Sequence, residues 1–337
     1  MKSVLYFFCF NLTCFGFSFP FKKDTSSHTP EIKKIRVGFF PNITHPHALV
    51  AQALAREGKD WFVSYLPSNY KVEWYRFNAG PTAMESLVTH TIDVSYVGPN
   101  PALNTYLRSK GKEVRLLSGA IRGGSGLVVQ KDLATKPLKE WNGKKIASPQ
   151  YGNTQDVACR NWVQNQQKNA IKLMILPATN PDQLMLFKKK QIDGAWTIEP
   201  WRSRLISEGE GVLYLDDKES WTTILVASND FYAHSSELTK AFVQAHHALN
   251  QWIQEHFEEA AGLIQSELKH QMGVFFDKKF ILQALKNLHF DVYPKQQDFE
   301  KLIDDTIATS LLKKELKLPL DLFFQEITKN RTISSKQ

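Results

Sequence analysis

Cysteine is scarce in this sequence, and the few cysteines present are poorly placed for disulfides. Only three occur among 337 residues, and two of them, Cys9 and Cys14, fall in an apolar N-terminal segment. Removal of that segment would leave Cys159 alone, so no internal disulfide is expected in the mature chain. A chain of this length buries enough apolar surface to fold without one. Cys159 has no histidine motif near it, and we interpret it as a packed residue rather than a nucleophile.

Several common functional signatures are also missing. The sequence contains neither a Gly-x-Ser-x-Gly turn nor a Gly-Lys-Ser/Thr loop, which argues against α/β-hydrolase and P-loop chemistry. The 42 basic and 34 acidic residues give a net charge of +8, but the basic residues form short scattered runs such as Lys188 to Lys190. No basic helix interleaved with aromatic residues is present, so nucleic acid is not an expected partner.

No apolar run is long enough to span a membrane comfortably. The run over residues 4–19 is uncharged, follows Lys2 and contains the small-x-small pattern Gly16-Phe17-Ser18. These features predict a secretory signal peptide over residues 1–18. The polar residues that follow predict a flexible tether over 19–32.

Apolar runs of strand length alternate with helical patterns through the first two thirds of the sequence. Ten such runs lie between residues 35 and 227, and this alternation indicates an α/β architecture with mainly parallel strands. After Ser228 the helical pattern continues almost without interruption, over 237–258, 277–288 and 295–312. We expect these helices to pack on a sheet formed by earlier residues.

Four loops rich in Pro, Gly, Asn and Thr each join a strand candidate to a helix candidate. Proline is favoured at the first helical position, and Pro46, Pro81 and Pro101 stand where three of the helices are expected to begin. Asn153 or Thr154 would cap the fourth helix, whose first N–H groups attract small anions. Loops of this kind gather outside the carboxyl ends of the strands in an open sheet, where ligands bind. The loops are Pro41–Pro46, Asn78–Thr82, Gly98–Pro101 and Ser148–Asp156.

These loops belong to a longer series of short motifs. The motifs are Phe40–His45, Ala79–Pro81, Asp93–Ala102, Ser125–Val129, Gly152–Ala158 and Ile192–Trp201. Together they resemble the solute-binding proteins of ABC importers of the nitrate, taurine and aliphatic-sulfonate type. The resemblance covers about residues 33–290. Each motif is weak by itself, whereas six in the right order and at the right separations are specific.

The resemblance implies an α/β protein of the bilobed periplasmic-binding-protein type II architecture. Two mixed-sheet lobes would be joined by two hinge crossings, near 122–126 and 216–220, with the C-terminal helices on the first lobe. The implied boundaries are 33–124 for the first part of the first lobe, 125–219 for the second lobe, 220–330 for the helical remainder of the first lobe and 331–337 for a tail.

Such a protein is not an enzyme and needs no cofactor or metal. It captures a small anionic solute, such as an aliphatic sulfonate, taurine or nitrate, and delivers it to the ABC permease and its ATPase subunits at the inner membrane. The resemblance thus implies a monomer in the periplasm. A lipid-anchored form on Cys14 is the lesser alternative, because Asn11 and Thr13 fit poorly in front of a lipidated cysteine. An uncleaved anchor is another.

The resemblance also implies which residues bind the solute. Polar side chains and backbone amides of the loops would hold the anionic head, while the motif of the second lobe would border the cleft. A permanently charged anion needs directed N–H and hydroxyl donors, and neutral donors suffice. The implied residues are Asn42, Thr44, His45, Gly80, Gly98, Asn100, Ser125, Gly152, Asn153, Thr154, Trp196, Glu199 and Trp201.

Some of these residues allow more than one interpretation. Trp196 and Trp201 either wall an apolar tail of the solute or belong to the core of the lobe. Glu199 either pairs with a cation or backbone group of the protein, or meets the amine of a zwitterion such as taurine. At the positions of Ser125 and His47, many relatives have other residues. These differences leave the identity of the solute open.

Two rival functions remain. His45-x-His47 resembles the start of some metal-dependent hydrolases, but further ligands are missing because His246, His247 and His256 fit an amphipathic helix. The second rival is a thiamine-pathway protein that binds or synthesises a pyrimidine precursor, since such proteins share the implied fold. The cysteine cluster of the synthesising proteins has no counterpart here. Relatives that carry uncharged heterocycles keep such solutes among the candidates.

Overall fold

The computed structural model describes residues 32–324. The predicted signal peptide, nearly all of the predicted tether and the predicted tail lie outside the described residues. Within 32–324, no helix combines the length and the apolar character needed to cross a membrane.

Strands and helices alternate up to residue 228, as the sequence predicts. Ten of the strands overlap the predicted apolar runs. The strands over residues 32–324 are β1 (Lys33–Phe39), β2 (Tyr70–Arg76), β3 (Val94–Val97), β4 (Val114–Gly123), β5 (Ser125–Val129), β6 (Lys145–Ser148), β7 (Met174–Pro177), β8 (Gly194–Ile198), β9 (Val212–Asp217), β10 (Trp221–Ser228) and β11 (Leu288–Phe290).

The helices of the described residues lie between these strands and after them. They are α1 (Pro46–Arg56), α2 (Gly80–Val88), α3 (Pro99–Arg108), α4 (Lys131–Ala134), α5 (Thr154–Gln167), α6 (Asn180–Lys188), α7 (Trp201–Ser207), α8 (Asn229–His234), α9 (Ser236–Glu255), α10 (Phe257–Met272), α11 (Lys278–Leu285) and α12 (Gln296–Ala308). Short 3-10 helices cover Phe62–Ser64, Leu138–Trp141 and Lys314–Leu316.

The C-terminal region differs from its predicted pattern in two places. The predicted helix over 237–258 is interrupted at His256, whose φ of −118° and ψ of 45° separate α9 from α10. The predicted helical region also contains β11, which pairs with β4. A three-residue strand carries too little periodicity to be recognised in a helical context.

The strands form two mixed sheets. A six-stranded sheet has the order β11-β4-β10-β3-β1-β2, and a five-stranded sheet has the order β7-β6-β8-β5-β9. We call each sheet with its helices a lobe, the first lobe being the six-stranded one. In the first lobe β1 pairs in parallel with β2 and β3, and in the second β6 pairs in parallel with β7 and β8.

The expectation of mainly parallel strands is wrong for the strands next to the crossings. β10 runs antiparallel to both β3 and β4, and β5 runs antiparallel to both β8 and β9. The chain leaves the first sheet from β4 straight into β5 and returns from β9 straight into β10, without a helical crossover. β5 and β10 therefore begin at the side of the sheets where the parallel strands end, and they run in the opposite direction to β8 and β3. Gly123 and Gly124, with φ of +74° and +71°, make the first crossing.

Helices cover both faces of the first sheet. One face packs against α1, α9, α10 and α11 around Val37, Leu49 and Phe242. The other packs against α2, α3 and α12 around Leu103, Trp221 and Phe299. All eight residues of β10 are buried, as expected of a strand between two helical layers. The helices cover the faces of the sheet, so the carboxyl ends of the parallel strands remain accessible to ligands.

Candidate functional site

A cavity of about 570 Å³ lies where the carboxyl ends of the parallel strands of both sheets meet. We call it the cleft cavity. The first lobe lines it with the loops after β1, β2 and β3, and the second lobe with the loops after β6, β7 and β8. Eight residues implied by the sequence line it, namely Asn42, Thr44, His45, Gly80, Gly98, Asn153, Thr154 and Trp201.

Five helices of eight or more residues begin at this cavity. The sequence predicted the N-termini of α1, α2, α3 and α5 here, and α6 adds a fifth through Thr179, Asn180 and Pro181. Pro46 is the first residue of α1 as predicted, whereas Pro81 is the second residue of α2, and α3 begins at Pro99 rather than at Pro101. The first N–H groups of each helix have no intrahelical acceptor and carry partial positive charge.

The N-terminus of α5 is the part of the site closest to the sequence prediction. Asn153 caps the helix, because its Oδ1 accepts a 2.8 Å hydrogen bond from the N–H of Asp156. The first intrahelical bond runs from Val157 N–H to Asn153 O. The N–H groups of Thr154 and Gln155 precede that bond, and both residues line the cavity. They are therefore available to a ligand.

α3 and α5 approach each other across the two lobes at this point. The N–H of Asn100 lies 3.4 Å from Thr154 Oγ1. A Cβ atom on Gly98 would lie 2.7 Å from the same oxygen, closer than real Cβ atoms come. Gly98 therefore permits the observed approach of the lobes.

Gly152 lies outside the cleft cavity. It lines a separate pocket with Tyr151 and residues of α2 and α3, and its N–H donates a 2.9 Å hydrogen bond to Asp156 Oδ2. The buried Asp156 carboxylate also accepts from Ser148 and Arg160. The Gly152 N–H therefore donates to a carboxylate of the protein and not to a ligand in the cleft cavity.

His45 contributes an uncharged donor. Its side chain is buried, and burial together with the neighbouring His47 lowers its pKa to about 3. The N–H of Phe40 donates to His45 Nδ1 at 3.4 Å, so the ring proton of the neutral imidazole belongs on Nε2. His45 thus offers an N–H group to the cleft cavity at neutral pH.

Asn100, Ser125 and Trp196 lie beside the cleft cavity without lining it. Asn100 is 1% exposed and its Nδ2 donates to Thr306 Oγ1 at 2.8 Å. Ser125 Oγ accepts a 3.2 Å hydrogen bond from Trp196 Nε1, and Trp196 packs in a core cluster of the second lobe. Of the two tryptophans, Trp201 therefore lines the cleft cavity and Trp196 does not.

Glu199 takes the first of its two predicted roles. It is fully buried and forms an ion pair with Arg202 at 2.9 Å. Its carboxylate also accepts from Asn287 Nδ2 at 2.8 Å and from the N–H of Ser203 at 3.2 Å. The carboxylate does not line the cleft cavity. It ties the two lobes together instead.

Several cavity residues were missed by sequence reasoning. Thr179-Asn180-Pro181-Asp182 carried a usable signal, since Thr179 caps α6 and Asp182 follows three residues later. Gln155 lies within the motif Gly152–Ala158 but was not predicted to bind the solute. Phe40 and Phe77 directly follow β1 and β2, and Met272 comes from a distant helix, so no local pattern marks them.

The chemistry of the cleft cavity is neutral and partly aromatic. Among residues 32–324, no Asp, Glu, Lys or Arg side chain lines it. Its apolar wall consists of Phe40, Phe77, Ile198, Trp201 and Met272, with prolines at four further positions. Backbone N–H groups, hydroxyls, amides and one neutral imidazole provide its polarity.

The two histidines of the proposed hydrolase motif point to different surroundings. His47 does not line the cleft cavity, and its Nε2 lies 2.9 Å from Asn250 Oδ1. Within the described part of the chain, no group of three or more His, Cys, Asp or Glu residues is arranged to hold a metal ion.

The fold and the cleft cavity together define a bilobed solute-binding protein fold. Residues 28–266 match the NMT1-like family, and the chain belongs to that family. A search of the curated proteins gave no match.

Solved structures share the fold at low sequence identity. The periplasmic nitrate-binding protein NrtA from Synechocystis PCC 6803 is 16% identical, with a TM-score of 0.70 over 91% of this chain and 90% of that one. The alkanesulfonate-binding protein SsuA from Xanthomonas axonopodis pv. citri, bound to MOPS, is 16% identical, with a TM-score of 0.66 over 84% and 96%. The periplasmic aliphatic sulphonate binding protein SsuA from Escherichia coli is 14% identical, with a TM-score of 0.66 over 86% and 99%. The predicted resemblance and fold class are confirmed.

Proposed function

We propose that this protein is the periplasmic solute-binding component of an ABC importer and captures a small organic anion in the cleft cavity. The observation that carries the proposal is the convergence of five helix N-termini on one cavity of about 570 Å³ between two lobes. Such N-termini favour negative charge through their free N–H groups and their dipoles. Sulfonates and nitrate stay charged at every physiological pH, so they need donors rather than a proton acceptor.

The anionic head is proposed to sit at the start of α5. The N–H groups of Thr154 and Gln155 lack intrahelical acceptors there, and His45 offers a neutral N–H from the first lobe. Hydrogen bonds to a charged group contribute about 1.5 to 3 kcal/mol each. An apolar tail would lie against Trp201, Phe77 and Met272. This division favours an alkane- or arenesulfonate over nitrate, which has no tail.

A second candidate is an uncharged heterocycle of the pyrimidine-precursor kind. The absence of charged side chains from the cavity wall, among residues 32–324, favours it, since a neutral polar ring needs no counter-charge. Phe40 and Trp201 would face such a ring, and the amide groups of Asn42 and Asn180 would pair with its nitrogens. This candidate is also a binding function, not an enzymatic one.

The proposed importer role also includes export, localisation and delivery, which depend on more than the described residues. Export through the predicted signal peptide, a monomeric periplasmic form and delivery to a permease with its ATPase subunits are parts of the proposal. Mass spectrometry of the exported protein tests the first part, and a mature chain starting near Phe19 is expected. Retention of Met1, or a lipid on Cys14, would contradict it.

A thermal-shift screen followed by calorimetry separates the two candidate ligands. The screen compares butanesulfonate, benzenesulfonate, taurine and nitrate with their uncharged sulfonamide analogues and with aminopyrimidines. A ligand at a hundred times its dissociation constant should stabilise the protein by about 2.7 kcal/mol. Preference for sulfonate over the matching sulfonamide supports the anion site. Equal or reversed preference supports the heterocycle, and no stabilisation by any compound would contradict both.

A further inference from the structure

A second chamber lies beside the hinge crossings and differs chemically from the cleft cavity. Its volume is about 460 Å³, and α5, α12 and the adjoining ends of β5, β9 and β10 bound it. We call this space, lined by Gln155, Trp162, Trp196, Asp217 and Asp298 among others, the hinge chamber. Because α5 belongs to the second lobe and α12 to the first, an occupant would contact both lobes.

The hinge chamber is acidic where the cleft cavity is neutral. Five carboxylates and two cationic side chains line it. Both cations are already engaged, since Arg122 pairs with Glu219 at 2.6 Å and Lys301 with Asp305 at 2.8 Å. The remaining three carboxylates are those of Asp216, Asp217 and Asp298.

Asp217 and Asp298 are the two carboxylates of the hinge chamber that form no ion pair within residues 32–324. Asp216 pairs with Arg202 at 2.6 Å, and Asp298 accepts a 3.0 Å hydrogen bond from Trp221 Nε1. The Asp217 carboxylate accepts the N–H of Ser220 at 3.2 Å and also interacts with the Ser220 hydroxyl, and the nearby Lys301 charge acts on it without forming an ion pair. Burial raises the pKa of Asp217. A partly desolvated carboxylate of this kind gains from a cation that enters the chamber.

Gln155 provides an independent indication of a ligand. Its side chain is 7% exposed and lines the chamber, yet its amide has no hydrogen-bond partner within residues 32–324. The Gln155 amide oxygen is therefore free to accept a hydrogen bond from a bound molecule with N–H or O–H groups.

Two tryptophans form an aromatic wall in the same chamber. The ring centroids of Trp162 and Trp196 lie 6.4 Å apart with an interplanar angle of 51°. The hydrogen bond from Trp196 Nε1 to Ser125 Oγ fixes the orientation of one ring. Indole faces attract ammonium groups more strongly than other aromatic side chains do.

We propose that the hinge chamber binds an organic ammonium group, with Asp217 as counter-ion, Gln155 as hydrogen-bond acceptor and Trp162 and Trp196 as aromatic wall. This site is separate from the anion site proposed in the cleft cavity. It adds a cation-binding site to a protein whose cleft cavity suits anions or neutral rings.

Calorimetry at low ionic strength and near-neutral pH tests the proposal with three probes. They are choline, its uncharged carbon isostere 3,3-dimethyl-1-butanol, and propylammonium. At least one cation should bind, and choline or propylammonium should bind at least about tenfold more tightly than the isostere. A preference for choline indicates the tryptophan wall, and a preference for propylammonium indicates Asp217 and Gln155. Failure of both cations to bind, or equal binding of the isostere, would overturn the proposal.

Variants then locate the cation. Asp217→Asn should weaken its binding at least about tenfold, whereas Asp132→Asn, the same change on the exposed helix α4, should leave it unchanged. Trp201→Leu should keep ammonium binding while it weakens binding in the cleft cavity, which separates failure of this proposal from failure of the anion site. Loss of ammonium binding in Trp201→Leu, with retention in Asp217→Asn, would place the cation in the cleft cavity. If Asp217→Asn does not fold, the comparison with the isostere on the unmodified protein decides.

Discussion

Asn287 Nδ2 donates a 2.8 Å hydrogen bond to Glu199 Oε1 and thereby joins the segment after α11 to the turn after β8. The same glutamate pairs with Arg202, and its own N–H donates to Gly124 O at 2.9 Å. One buried carboxylate thus holds together the second lobe, the first crossing and the helical part of the first lobe. The contact lies outside the cleft cavity, so it can influence affinity only through the arrangement of the lobes.

Asn287→Ala should weaken solute binding without altering any cavity residue. The variant removes the hydrogen bond between the lobes and so favours arrangements in which they are farther apart. A hydrogen bond to a charged group contributes about 1.5 to 3 kcal/mol, so affinity should fall roughly tenfold or more. Calorimetry and small-angle scattering measure the two effects. Asn169→Ala, at an exposed position just after α5, is the control and should leave affinity unchanged. If Asn287→Ala also leaves affinity unchanged, the hydrogen bond between Asn287 and Glu199 does not influence solute binding.

Arg202→Met should cause a large loss of stability. Arg202 is 2% exposed and donates to Glu199, to Asp216 and to Ser125 O. Its removal leaves the buried Glu199 carboxylate without a cation, which typically costs about 3 to 5 kcal/mol. Glu199→Gln should cost less, because Arg202 keeps Asp216 as a partner. Urea unfolding measures both free energies, and a smaller loss in Arg202→Met than in Glu199→Gln would contradict this account.

Stability should fall as the pH is lowered below about 6.5. Burial lowers the pKa of His45 to about 3, that of His47 to about 4 and that of His246 well below its usual value. The unfolded chain therefore binds more protons than the folded chain below a pH of about 6.5. The free energy of unfolding decreases as the pH falls through this range. Each such histidine contributes up to about 1.4 kcal/mol per pH unit.

Urea unfolding between pH values of about 7.5 and 5 measures this dependence, because most carboxylates keep their charge there. His47→Gln removes one of these buried groups and should make the dependence on pH shallower. A free energy of unfolding that does not change with pH over this interval would show that the folded and unfolded chains bind the same number of protons, and would contradict the lowered pKa values of the buried histidines.

The sequence supported the fold and the positions of the helix N-termini better than it supported individual contacts. Local signals such as Pro46, Pro81 and the Asn153 cap depend on a few neighbouring residues, and the structure has them where the sequence places them. The motif Gly152–Ala158 did not show that the side chain of Asp156 turns back to accept the N–H of Gly152, although the two residues are only four apart. Asn100 likewise contacts Thr306, which is 206 residues away.

The hinge chamber shows the same limit. Gln155 stands in the recognised motif, yet Asp217 and the helix α12 come from other segments of the chain. Periodicity indicates which face of an element is buried, but it does not show which segments from different lobes meet. Phe40, Phe77 and Met272 also meet only in the folded protein.

The double change Asn153→Ala with Thr154→Ala should weaken solute binding about tenfold or more, since it removes two polar side chains and loosens the α5 N-terminus. Folding should survive, because loss of an N-cap costs about 1 kcal/mol. Cys159→Ala is the matched control on α5, since Cys159 is buried away from the cavity. Calorimetry with the best solute of the screen measures the effect. Unaltered affinity would contradict the proposal that the anionic head binds at the N-terminus of α5.

Gly98→Ala should keep the lobes from approaching as closely as they do here. A Cβ atom at this position would lie 2.7 Å from Thr154 Oγ1, which belongs to the other lobe. The backbone of Gly98, with φ of −65° and ψ of 147°, suits alanine, so the change acts on the contact and not on local folding. We expect weaker solute binding and a larger radius of gyration with solute present.

The rescue variant makes this last prediction specific. Thr154→Ala removes the oxygen that clashes, so the Gly98→Ala, Thr154→Ala double variant should bind about as well as Thr154→Ala alone. A thermodynamic cycle over the four proteins then gives a coupling free energy between the two positions, expected at about 0.5 to 3 kcal/mol for residues in contact. Additive effects in calorimetry would mean that the α3 and α5 N-termini do not meet in the solute-bound protein.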